Sequence, residues 1–333
     1  MWWKKHLKTD VNQGIKELLG ELKSDGIHLT IDELMRYQSK SSLLNLAPKK
    51  AIEGHLSGNY LARTKGRGME FDEVRHYQTG DDIRAIDWRV TARTGKTHTK
   101  LYKEEVERPV LIATDFGQSM FFGSRLLFKS VQASHIASLV AWHAKKRGDR
   151  IGGLVFNESN HKELKPRSRQ HGVLHYLHAL EELHNQGLAN WQQEQPGEDS
   201  YFVENCNRLR QLSRPGSLVY LITDGSHFDE AALLPLSQIS RHCELVVCQI
   251  IDPLELALPK STQKASVSVT DGENKQRLVL GDAKTAQTYQ QQALISTKLK
   301  QRMFQKAGAR FIQFSAGQSI EQQLKAGVES WIR

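Results

Sequence analysis

The 333 residues carry 46 Lys and Arg against 37 Asp and Glu, a formal net charge of +9. Hydrophobic content of 39% with 25% charged residues excludes a disordered or fibrous chain and leaves room for one large or two modest cores. The three cysteines, Cys206, Cys243 and Cys248, form no Cys-x-x-Cys pair, and an odd count excludes a closed disulfide framework. A reducing compartment fits them. No run of about eighteen apolar residues exists, so no transmembrane helix is expected. The start, Met1-Trp-Trp-Lys-Lys-His, lacks the apolar stretch of a signal peptide, and the expected location is the cytoplasm. The positive charge permits nucleic acid, anionic lipid or an acidic protein as partner and demands none of them.

Residues 1–50 read as an N-terminal helical segment. Residues 11–25 space Ile15, Leu18, Leu19 and Leu22 on one side of a helix. Thr30-Ile-Asp-Glu33 is a capping-box pattern that predicts a second helix, with Leu34 and Tyr37 inward. Residues 39–50 are polar and aperiodic, hence a linker.

Residues 51–108 read as a β-rich segment of short strands and turns, without a strong helix pattern. Gly80-Asp81-Asp82-Ile-Arg84-Ala-Ile-Asp87-Trp88 gathers three acids and an arginine. No base, nucleophile or metal triad accompanies them. A structural or partner-docking role is favoured over acid–base chemistry. Charge-assisted hydrogen bonds would hold the irregular backbone and burial of Trp88 would anchor it. Thr94-Gly95-Lys96-Thr97 imitates the end of a phosphate-binding loop. Val90 stands where the loop's first glycine belongs, and a strand pattern follows instead of a helix, so nucleotide binding is rejected.

From 109 to 330 strands and helices alternate. Val110 to Ala113 is an apolar run suited to a strand buried on both faces, and it ends in Asp115, Gly117 and Ser119. A helix is expected over 124–146, with Arg147-Gly148-Asp149 as its exit turn, then a strand over 151–156. A helix over 169–183 lines His171, His175 and His178 along one side; an exposed polar face is favoured there over a transition-metal site. Residues 185–200 read as a loop and 202–212 as a helix. Ser217 to Thr223 is a second buried-type strand, and it ends in Asp224-Gly225-Ser226. A short helix over 228–239 and a strand over 244–251 follow. A hairpin of about 264–281 turns at Asp271-Gly272. Asp282 caps a long polar helix to about Lys306, then come a strand over 310–314 and a helix over 319–328. The expected fold is α/β: a doubly wound, mostly parallel, Rossmann-like sheet with an N-terminal helical and β-rich extension. Parallel strands would bring Asp115 and Asp224 to one edge, where ligands bind in such folds. Carboxylate and hydroxyl oxygens there suit a hard cation such as magnesium.

Asp115-x-Gly117-x-Ser119 with Thr223-Asp224-Gly225 resembles the metal-ion-dependent adhesion site of a von Willebrand factor type A domain, which reads Asp-x-Ser-x-Ser with a threonine and an aspartate from later loops. Gly66-Arg-Gly68-Met-Glu70-Phe71, Arg75-His-Tyr77-Gln-Thr-Gly80 to Trp88, and Thr91-Ala-Arg93-Thr-Gly95 resemble the signature of the domain of unknown function 58 family, over roughly residues 25 to 330. The resemblance implies a type A-like domain, a magnesium site at Asp115, Ser119 and Asp224, and a non-enzymatic adaptor or assembly factor associated with a MoxR-type AAA+ ATPase. Gly117 departs from the motif, since it stands where a serine ligand is usual. Ser168 is the best candidate for the missing third-loop ligand. Arg75, Tyr77, Gly80, Asp81, Asp82, Arg84, Asp87 and Trp88 are carried as a docking or structural signature. The alternatives are a basic nucleic-acid-associated protein and a metal-dependent hydrolase with His227 as base; the scattered charge speaks against the first. The sequence leaves the oligomeric state open.

Overall fold

The computed structural model describes residues 14–43, 69–104, 107–193, 200–259, 265–270 and 275–326. It divides into two compact units, 1–48 with 108–333, and 49–107. Among the described residues no helix is long and apolar enough to cross a membrane.

The larger unit is built on a six-stranded sheet. In chain order its strands are β3 (Pro109–Asp115), β4 (Arg150–Phe156), β5 (His161–Arg167), β6 (Leu218–Thr223), β7 (Glu244–Ile251) and β10 (Arg310–Ser315). Their spatial order is β10-β7-β6-β3-β4-β5. All neighbours are parallel except β5, which runs antiparallel to β4. The apolar runs that predicted β3 and β6 are buried throughout because helices cover both faces. Val110 and Ile112 point into one core, Leu111 and Ala113 into the other, as the two-residue period of a strand requires.

The first face carries α5 (Lys129–Lys146) and α6 (Arg169–Gln192). The second carries α7 (Tyr201–Leu212), α8 (Glu230–His242) and the end of α10 (Ala283–Lys306). A short α9 (Pro253–Leu256) follows β7, and α11 (Ile320–Lys325) follows β10. The expected hairpin forms as β8 (Ala265–Thr270) against β9 (Lys275–Leu280). Its turn residues Asp271 and Gly272 lie outside the described residues, as do Gly66, Gly68 and Val328.

The N-terminal chain forms α1 over residues 14–22, then α2 (Ile31–Met35) and α3 (Tyr37–Lys40). These lie against α5. The Leu34 carbonyl accepts from Ser138 Oγ at 2.7 Å and Trp142 Nε1 at 3.3 Å. The Thr30-to-Glu33 capping box does not form. Thr30 makes no side-chain cap, and Glu33 turns inward to His135 Nε2 at 2.5 Å.

Two further expectations are corrected, and one strand is added. The helix expected from Ser124 starts at Lys129, because Asp252 binds Ser124 through both its amide and its hydroxyl and holds the chain out of helical geometry. The loop expected over 185–200 is helix as far as Gln192: Gly187 is tolerated because the Phe121 ring fills the space its Cβ would take. Strand β5 was hidden by its sequence, His161-Lys-Glu-Leu-Lys-Pro-Arg167, in which only Leu164 is buried. Lysines and a proline are typical of an exposed edge.

In the smaller unit, β1 (Met69–His76) pairs antiparallel with β2 (His98–Glu104). Between them lies α4 (Trp88–Thr94), a helix where only strands and turns were expected. Asp87 caps it by accepting from the amides of Arg89 and Val90, and Gly95, at φ +69, ends it. Trp88 is no buried anchor: it begins α4 and is 68% exposed.

Candidate functional site

The parallel register of β3 with β6 pairs Thr114 with Ile222, so the next residues of both strands emerge at one edge of the sheet. Asp115 and Asp224 meet there, both buried. Asp115 Oδ2 accepts from Thr223 Oγ1 at 2.7 Å. Its Oδ1 accepts from the Gly117 amide at 2.9 Å and the Tyr201 hydroxyl at 3.3 Å. Burial, then the neighbouring Asp224 charge, pushes the Asp115 carboxyl up to about 7.

Asp224 has a different environment. Its Oδ2 accepts from Lys129 Nζ at 2.7 Å and its Oδ1 from the Ser226 amide at 2.8 Å. Burial alone would raise this carboxyl; the ammonium of Lys129, then that of Lys300, outweighs it and holds Asp224 well below the usual carboxylate range. Lys129 is 2% exposed and donates also to Glu255 Oε1 at 2.5 Å. Burial would lower it, and its two carboxylates keep it up at about 12.

The remaining motif residues are placed as follows. Gly117 abuts Tyr201: a Cβ on it would stand 2.1 Å from the Tyr201 hydroxyl oxygen. Ser119 Oγ is buried without a hydrogen-bond partner among the described residues. Ser168 stands at the residue before α6, without a side-chain capping bond, next to Arg167, which pairs with Ile151 at the beginning of β4. Asp115 pairs with Phe156 at the end of that strand. Five residues separate the two positions, about 16 Å of strand, so Ser168 is at the opposite edge of the sheet. The third contribution to the crevice comes from Glu158, just beyond β4. Its Oε1 accepts from the Gln118 amide at 2.5 Å, and burial raises its carboxyl. His227 stacks edge-on against Tyr201, ring centroids 5.1 Å apart.

Lys129, Tyr201, Glu158 and Glu255 were missed from the sequence. A signal for Glu158 existed: Phe156-Asn157-Glu158 is an acid-bearing strand end of the same type as Asp115 and Asp224. Nothing local marked Lys129, which sits in the first turn of a helix otherwise rich in alanine and serine. The histidines expected to form a polar face do so, with His178 beside Glu181 at 3.9 Å. No cluster of three or more His, Cys, Asp and Glu able to hold a metal occurs among the described residues.

In the smaller unit the signature is held locally. Arg75 Nη2 donates to Asp81 Oδ1 at 2.7 Å, and the Gln78 amide donates to Asp81 Oδ2 at 2.9 Å. The Tyr77 hydroxyl donates to the Asp81 carbonyl at 3.2 Å. Asp82 accepts from the Arg84 amide, and Lys100 stands 3.7 Å from Asp87. The Gln78 amide, then Arg75, holds the Asp81 carboxyl below its ordinary range. Gly80 supplies a φ of +109 that the turn demands.

Residues 73–298 match the family model described as "Protein of unknown function DUF58". The chain belongs to this family. Curated relatives in Mycobacterium bovis and Mycobacterium tuberculosis, described as uncharacterized proteins, are 28% identical over 217 residues, 65% of this chain. The chain spans 65% of the length of those relatives. Similar solved structures include BatB from Bacteroides thetaiotaomicron, 14% identical with a TM-score of 0.41, over 67% of this chain and 96% of that one. An aerotolerance-related membrane protein from Bacteroides fragilis is 14% identical with a TM-score of 0.40, over 67% and 98%. A von Willebrand factor type A structure from Catenulispora acidiphila is 15% identical with a TM-score of 0.31, over 46% and 35%.

Proposed function

We propose that this chain is a non-enzymatic adaptor that docks an acidic protein partner beside the strand-end crevice. The observation that carries this reading is the character of α10. Of its 24 residues only Phe304 is buried. It exposes Leu294, Ile295 and Leu299, and it bears Lys284, Lys298, Lys300, Arg302 and Lys306 without a single acid. Lys300 Nζ donates to the Asp224 carbonyl at 3.3 Å, so the helix lies at the crevice. Large apolar side chains set among cations suit the apolar face of an acidic amphipathic segment. The family resemblance supports a MoxR-type AAA+ ATPase in the cytoplasm as the partner.

The test is capture of such an ATPase by the full chain carrying Ile295→Asp and Lys298→Glu. Both positions lie on α10, whose only buried residue is Phe304, so the fold should persist, and affinity should fall about tenfold or more, some 1.4 kcal/mol. Undiminished capture by the folded double variant overturns the reading. The acid-free helix also favours a second reading, nucleic-acid binding. That reading requires an affinity that falls steeply with salt and survives Ile295→Asp alone.

A further inference from the structure

We propose that the ammonium of Lys129 holds the cation position of the strand-end site, so that a cation built into the chain closes the site to magnesium. This goes beyond the docking reading and does not depend on it. The donor set decides the matter. Lys129 Nζ lies 2.7 Å from Asp224 Oδ2 and 2.5 Å from Glu255 Oε1, a single ammonium shared by two carboxylates. The other Asp224 oxygen is engaged by the Ser226 amide. Both Asp115 oxygens are engaged too, by Thr223, Gly117 and Tyr201.

Magnesium needs about six oxygens in near-octahedral array at roughly 2.0–2.1 Å. Gly117 supplies none, and the Tyr201 hydroxyl occupies the space into which a serine side chain would extend. Of the motif's side-chain oxygens only that of Ser119 is without a partner among the described residues, and while Lys129 holds Asp224 and Glu255 that one hydroxyl does not make a magnesium site. A dication entering here would also face the buried ammonium at short range, where low dielectric magnifies repulsion. The lysine removes the need for a metal: it neutralises carboxylates that a buried edge could not otherwise carry.

The experiment uses the full chain and manganese(II) as a paramagnetic probe, with magnesium and a chelator in thermal melts. The wild-type protein is expected to show no saturable manganese binding, and its Tm to stay unchanged by millimolar magnesium or by chelator. Lys129→Met removes the ammonium while keeping an unbranched chain. Its Tm should fall, and divalent cation should restore part of the loss, with saturable manganese binding appearing. Saturable binding to the wild type that disappears in Asp224→Asn would overturn the proposal. So would a folded Lys129→Met protein that divalent cations neither bind nor stabilise. Should Lys129→Met fail to fold, the wild-type titration decides alone.

Discussion

The strand-end crevice and the Gly80–Trp88 segment use the same residue types in opposite ways. Each gathers aspartates and a glycine beside a cation. In the crevice the acids are buried, and each is answered by side chains from distant elements: Asp224 by Lys129, Asp115 by Thr223 and Tyr201. In the segment the acids answer backbone amides two or three residues away, as Asp81 does for Gln78, Asp82 for Arg84 and Asp87 for Val90. Burial makes the difference. A carboxylate in low dielectric needs an opposite charge or several donors, which only tertiary structure brings. A solvated one is satisfied by its own turn. Local sequence therefore specifies the segment, whereas the crevice depends on the whole fold.

That contrast breaks first at Asp224. Asp224→Ala would leave the Lys129 ammonium buried with only the half-exposed Glu255 as partner, and should cost roughly 3–5 kcal/mol in chemical denaturation. A loss under about 1 kcal/mol would mean the pair is not desolvated.

The pH profile sharpens the same point. The Asp115 carboxyl titrates near 7 when folded against an ordinary 3.8. Between those values the folded chain keeps a proton that the unfolded chain has lost. Stability should therefore fall as pH rises from about 4 to 7, by at most about 1.4 kcal/mol per pH unit, and level off above. Asp224 has the opposite sign: its contribution is present above its ordinary 3.8 and is lost as pH falls below it. Asp115→Asn should remove most of the slope above pH 4; an unchanged slope would assign the titration to another group.

The smallest effect is expected in the segment. Trp88→Ser, at 68% exposure, should lie within about 0.5 kcal/mol of wild type in denaturant melts. A loss of several kcal/mol would mean that Trp88 is covered after all.

Much of this architecture is legible in the sequence. The apolar runs of β3, β6 and β7, the Gly148 and Gly308 stops and the Asp282 cap are local signals, and each marked its element. The meeting of Asp115 with Asp224 followed from parallel pairing alone. The rest is tertiary. Helix α6 continues past Gly187 because Phe121 packs on it, and α5 starts late because Asp252 holds Ser124. Edge strand β5 has no apolar period, so its sequence does not mark the turn after β4, where Glu158 lies, as the third loop. Lys129 could not be recognised, since a lysine in the first turn of a helix reads as a surface charge until Asp224 and Glu255 are placed around it.

The most direct test of the proposed docking is hydrogen exchange on the full chain, free and in the presence of saturating MoxR-type AAA+ ATPase. Slowed exchange over residues 283–306 is the predicted result, with residues 80–94 unchanged. Protection confined to 80–94, with α10 exchanging as in the free protein, would contradict the account and move the docking surface to the signature segment.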